Sequence, residues 1–172
     1  MKALFRIIPW SVLLISFAIL ALFYNSLPNE ILIVRSFFGN ESVFAQKTLF
    51  TVFRVPLIET VCAATVEIMR RKFAPVSAEF SMSWNILLYT VAFKSLFQSL
   101  ETVSAENFAK VFFYLTIFVV ALGILAAVFF GRNSFSKSLR ATRNFSFADT
   151  AILIFLLFGY LGLAIVPMLV YK

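Results

Sequence analysis

The chain has no histidine and only one cysteine, Cys62. Without imidazole, the commonest general base and the commonest zinc ligand are both missing. A lone cysteine closes no internal disulfide, and a thiol relay needs more than one. Charge is scarce too. Only 13% of the 172 residues are charged, against about 25% in ordinary soluble domains. No HExxH, Gly-rich phosphate loop, GxSxG or acidic cluster for magnesium is present. The sequence therefore predicts no enzyme, no catalytic residue, no metal and no cofactor. The net charge of +7 does not imply nucleic acid, because no Arg/Gly-rich tail or basic helix is available to track phosphates.

What the chain does have is apolar length. Its residues are 62% hydrophobic. Five apolar runs stand out: Leu4–Tyr24, Thr48–Met69, Phe80–Leu100, Phe108–Phe130 and Ala148–Val170. A hydrocarbon core about 30 Å thick needs roughly 20 helical residues to cross. The expected fold is all-α: a polytopic integral membrane protein, a bundle of five transmembrane helices with a short ordered extracytoplasmic loop after the first. One membrane domain would cover residues 1–172. Residues 1–72 would form a two-helix module around the loop 25–47, and residues 73–172 would supply three further helices. The 23 phenylalanines fit lipid-facing or bundle-filling positions and imply no cofactor.

Loop charges give the orientation. Lys2 and Arg6 precede the first run. Arg70, Arg71 and Lys72 follow the second. Arg132, Lys137, Arg140 and Arg143 separate the fourth and fifth. With five spans all three clusters share one side, and the acidic connection at Glu101 and Glu106 falls on the other. The N-terminus is then cytoplasmic and the C-terminus outside. Phe80–Leu100 contains Asn85 and Lys94 and follows Pro75. A re-entrant helix there would leave four spans and break the charge pattern. A cleaved signal peptide is the other reading of the N-terminus. Ala18 and Ala21 are not in an A-x-A arrangement, so a retained helix is expected.

The loop after the first run opens with Asn25-Ser26-Leu27-Pro28, where Pro28 cannot continue a helix. Glu30 to Val34 reads as a short extended segment, and Gly39-Asn40-Glu41-Ser42 supplies turn chemistry. Val43-Phe44-Ala45 is apolar again. Such a loop is expected to fold back on the bundle as a cap, with Phe44 packing toward the helices. It would be a packed connector or a recognition surface.

Leu27, Pro28, Ile31, Gly39, Phe44 and Lys47, with Pro56 in the second span, resemble the signature of the SdpI-like bacterial membrane proteins. In that family the signature lies in an N-terminal two-helix domain of unknown function. The likeness covers about Leu4–Met69. Leu32 and Val34 stand where the family has a second Pro and a His. The family's later G-I-R-T-P motif has no counterpart here. The resemblance implies a multi-pass protein of the bacterial inner membrane without established catalysis, related to toxin-immunity and signal-transducing members.

Three ionisable residues lie inside the runs: Arg54, Glu59 and Lys94. A charge at the bilayer centre costs at least ~2.5–3.5 kcal/mol on insertion scales, so these side chains should face the bundle interior and one another. Span three runs antiparallel to span two, which makes Lys94 the first candidate partner for Glu59 and Arg54 the second. They form either a polar path for protons or ions, or an ion pair joining two spans. One acid and two bases make no continuous relay, which favours the pair. Glu67 should pair locally with Arg70 and Arg71. Gly159, Gly162 and Ala164 offer a small-residue face for close helix packing.

The functional expectation is a binding or sensing protein with its outer loop as recognition surface. Alternatives are an accessory subunit of a larger membrane complex and a small transporter. The expected partners are the lipid bilayer and a membrane protein or secreted peptide.

Overall fold

The computed structural model describes residues 4–34, 43–73 and 78–131. Gly39, the basic loop after residue 131 and the run Ala148–Val170 lie outside the described residues. Four long helices dominate: α1 (Leu4–Phe23), α2 (Leu49–Phe73), α3 (Ala78–Val103) and α4 (Glu106–Gly131). Between α1 and α2, strands β1 (Glu30–Val34) and β2 (Val43–Gln46) pair as an antiparallel hairpin. The described fold is thus helical with one small sheet, where an all-α chain was expected.

Three helical segments are long and apolar enough to cross a membrane: Ile7–Ser26, Leu49–Arg71 and Phe108–Phe129. The third, in α4, is the most apolar of them and the least buried. That is the pattern expected of a helix whose sides meet lipid. Phe108, Tyr114, Phe118, Leu125 and Phe129 project from it, all exposed.

α3 is as long but more polar, and it is the central helix, packing against α1, α2 and α4. Its pairings fix the directions of its neighbours. Ser83 Oγ donates to the Ala127 carbonyl at 2.9 Å. Thr90 abuts Gly123, and the Phe97 and Phe112 rings stack. As α3 advances α4 retreats, so the two are antiparallel. α2 also runs against α3: Ala63 shares a core cluster with Leu88 and Ala92, while Val52, earlier on α2, sits in the cluster that packs on Val103, later on α3. α1 runs with α3: Leu13 joins that cluster, and Leu20 joins another that packs on Val103.

These clusters form two apolar layers. One holds Leu13, Ala63, Leu88 and Ala92. The other, nearer the hairpin, holds Leu20, Leu27, Ile31 and Val52. At about 25 cal/mol per Å² of apolar surface, such burial in water would drive folding. Between helices already in lipid, close packing replaces that drive. Small residues at Ala63 and Ala92, both fully buried, let the backbones approach.

Candidate functional site: the hairpin cap and the polar layer beneath it

The cap starts where α1 runs out. A single 3-10 turn, Tyr24–Ser26, tightens its end. Ser26 Oγ donates to the Phe23 carbonyl at 2.8 Å, and the Leu27 amide donates to Tyr24 at 3.3 Å. Lys47 reaches back to this exit from twenty residues away. Its Nζ donates to the Leu27 carbonyl at 2.9 Å and to that of Tyr24 at 3.5 Å, and it lies 5.5 Å from the Tyr24 ring centre. A cation suits the negative end of a helix. The Lys47 amide also donates to the Asn29 carbonyl at 2.7 Å. One residue thus ties the exit of α1 to the entrance of α2.

α2 begins on a reciprocal cap. The Thr51 amide donates to Thr48 Oγ1 at 3.1 Å, and the Thr48 amide donates to Thr51 Oγ1 at 2.8 Å. Thr51 Oγ1 also donates to the Gln46 carbonyl at 2.9 Å, which holds β2 on the helix it precedes. The sequence signal was Thr-x-x-Thr ahead of an apolar run, a capping-box spacing. It went unread in the sequence, as did Tyr24.

The register pairs Glu30 with Gln46, Ile31 with Ala45 and Leu32 with Phe44, with an irregularity before Val34 and Val43. Alternate residues face opposite sides of a strand. Ile31 and Ala45 are buried against the bundle. Leu32, Phe44, Glu30 and Gln46 therefore share the outward face. Phe44 is 53% exposed, which corrects the expectation that it packs toward the helices: with its neighbour Ala45 turned inward, Phe44 has to point out. Leu27 is buried and Pro28 exposed.

Below the cap the structure brings Glu59 and Lys94 together. Lys94 Nζ donates to Glu59 Oε1 at 2.5 Å, from α3 to α2. The Glu59 side chain is 4% exposed and that of Lys94 32%. The lysine stem keeps one flank outside while its tip reaches in. Arg54 is buried on α2, closer to the hairpin. Pro56 is fully buried between the two. Pro56 lacks an N–H to give the preceding turn, while its carbonyl accepts from Thr60 Oγ1 at 2.7 Å. Ser16, Ser95 and Ser99 are fully buried as well. Ser16 Oγ donates to the Val12 carbonyl at 3.0 Å. The antiparallel register that sets Lys94 beside Glu59 puts Ser99 level with Arg54. The serines escape sequence reading, since an intramembrane serine carries no sign of which way it faces.

The chain matches no family model, no curated protein and no solved structure. The likeness of Leu27–Lys47 to the SdpI-like signature rests on those residues alone.

At the far end of α2, Glu67 accepts from Arg70 Nε at 2.7 Å and Nη2 at 2.6 Å, and from Arg71 Nε at 2.9 Å. Arg70 is buried there, while the Arg71 side chain is 73% exposed. Among the described residues no group of three His, Cys, Asp or Glu could hold a metal ion.

Proposed function

We propose that this chain is a bacterial inner-membrane binding or sensing protein, similar in kind to SdpI-like immunity and signal proteins. The outer face of the β1–β2 hairpin is its recognition surface. One observation carries this reading: the hairpin is anchored on its inner side through Ile31, Ala45, Lys47 and Thr51, yet it turns Phe44 outward. A connector needs no ordered aromatic on its free face. A rigidly presented one suits an extracytoplasmic peptide or protein segment with an apolar side, because little ordering entropy is lost on contact.

The topology that goes with it has five spans, the N-terminus inside and the hairpin outside. α3 crosses as the central helix. Its 26 residues at 1.5 Å each cover about 39 Å, and lining by three neighbours offsets its polarity. Glu59 and Lys94 act as an ion pair joining α2 to α3, since two groups bonded directly to each other are not free to relay. The Arg70–Arg71 end of α2 supports the inside assignment.

Photo-crosslinking from residue 44 in native membranes tests the recognition surface, with residue 45 as the inward control. Protein adducts at 44 that vanish with Leu32→Ser support it, and adducts to lipid alone overturn it. Labelling tests the topology in a Cys62→Ser background. Asn29→Cys should react with an impermeant thiol reagent in intact cells, and Arg71→Cys only after lysis.

A further inference from the structure

The β1–β2 hairpin leaves one backbone edge open. In an antiparallel pair, opposite residues alternate. Some exchange backbone hydrogen bonds; the others point their N–H and C=O groups away from the partner strand. The Lys47 amide donates to the Asn29 carbonyl at 2.7 Å. Those two residues continue the register of Glu30 with Gln46 and Ile31 with Ala45. The phase follows. Ile31 and Ala45 exchange bonds, whereas Glu30, Leu32, Phe44 and Gln46 aim their backbone groups outward. Gln46 bears this out, because its carbonyl accepts from Thr51 Oγ1 at 2.9 Å. The first turn of α2 thus closes the β2 edge at that residue. On the β1 edge, the amides and carbonyls of Glu30 and Leu32 have no partner among the described residues. Two donors and two acceptors stand there at strand spacing. Such a row is a template for another strand.

We propose that the hairpin takes its partner by strand addition: an extended peptide segment pairs antiparallel with β1 at Glu30 and Leu32, as a third strand. One peptide residue exchanges both bonds with Leu32, and the residue two positions later exchanges both with Glu30. Directly opposed side chains share a face, so these two residues lie on the outward face of the sheet. Beside Leu32 and its cross-strand neighbour Phe44, an apolar side chain extends the apolar row. Beside the exposed carboxylate of Glu30, a cation is matched in charge. The recognised chemistry is an extended segment with an apolar residue and, two positions on, a lysine or arginine. The inference rests on the reading of the hairpin as a recognition surface and names how that surface is used.

A backbone-modified peptide tests it. The full chain in nanodiscs is titrated with fluorescein-labelled Thr-Val-Thr-Lys-Thr, and anisotropy reads the binding. N-methylation of the valine and lysine removes the two donors that face β1 and should weaken binding about tenfold or more. N-methylation of the two threonines that follow them faces away from β1 and should leave binding nearly unchanged. Leu32→Pro deletes an outward N–H without taking a β1–β2 bond. It should weaken binding while the Ile31 and Ala45 amides stay slow to exchange, and Leu32→Val should do neither. Glu30→Lys should disfavour this peptide and favour the version with glutamate in place of lysine. Equal loss from both methylation patterns would overturn the proposal, as would no saturable binding of the unmodified peptide. If either result comes with protein adducts from residue 44 in native membranes, the recognition face stands and strand addition falls. Without those adducts both fall.

Discussion

Lys94 reaches Glu59 from an antiparallel helix at 2.5 Å, and the two side chains are unequally exposed. That inequality predicts an asymmetric mutational response. Lys94→Met strands a carboxylate that is 4% exposed, and breaking a buried pair in this way costs about 3–5 kcal/mol. Glu59→Gln keeps an acceptor and frees a lysine that can swing toward polar surroundings, so its cost should be closer to the ~0.6–1.7 kcal/mol of an interhelical hydrogen bond. Unfolding in detergent micelles should rank the two in that order. Glu59→Lys with Lys94→Glu should recover part of the loss. Equal losses for the two single variants would contradict the asymmetry.

Gly123 and Thr90 form a second coupled pair. Gly123→Ala places a Cβ 2.0 Å from Thr90 Oγ1, 2.7 Å from its Cγ2 and 2.8 Å from its Cβ. Overpacking of this kind costs about 1–3 kcal/mol. Thr90→Ala removes the two nearest atoms and leaves the third, so the double variant should regain much but not all of the stability. Thermal melts of all four proteins close the cycle. Simple additivity would place the clash elsewhere.

At the opposite end of α2 the prediction is again a contrast. Glu67→Ala leaves the buried Arg70 guanidinium without its two-point acceptor, and hydrogen bonds to charged groups are worth about 1.5–3 kcal/mol. Arg71→Ala removes a pair whose cation is largely in solvent, which is worth about 1 kcal/mol or less. Raising the salt concentration should shrink the Arg71 effect more than the Glu67 effect.

The hairpin separates anchoring from display. Lys47→Met should speed amide exchange across residues 30–34 and 43–46, because both ends of the cap depend on that side chain. Phe44→Ala should leave exchange and melting nearly unchanged, within about 0.5 kcal/mol, as for surface positions. Exchange that quickens in Phe44→Ala and stays slow in Lys47→Met would reverse the assigned roles.

Some of this was legible in the residues and some was not. Pro28 and Lys47 bracket the cap in the sequence, since a break and a cation at a membrane edge each have a local meaning. The depth of Glu59 and the antiparallel course of the next helix were enough to nominate Lys94. The facing of Phe44 was not readable. Ile31, Leu32, Ile33 and Val34 are all apolar, so the strand shows no alternation from which to take a phase. The central place of α3 was hidden for a related reason. Hydropathy records what a helix would tolerate around it and says nothing about which neighbours supply it, so α3, which falls short of the apolarity of the three candidate spans, looked the weakest when it was the central one.

That enclosure has a consequence for how the protein is made. In the proposed topology, neither α2 with Glu59 nor α3 with Lys94 is a comfortable solitary passenger in lipid, because each carries a charge worth about 2.5–3.5 kcal/mol against insertion at mid-depth. Only residues 74–77 separate the two helices, so they can enter as a hairpin with their charges already joined. A nascent chain stalled before Lys94 has emerged should leave α2 lingering at the insertion machinery, and release into the bilayer should come once the second helix arrives. Biogenesis, on this account, proceeds in a pair-wise step set by one contact between two helices.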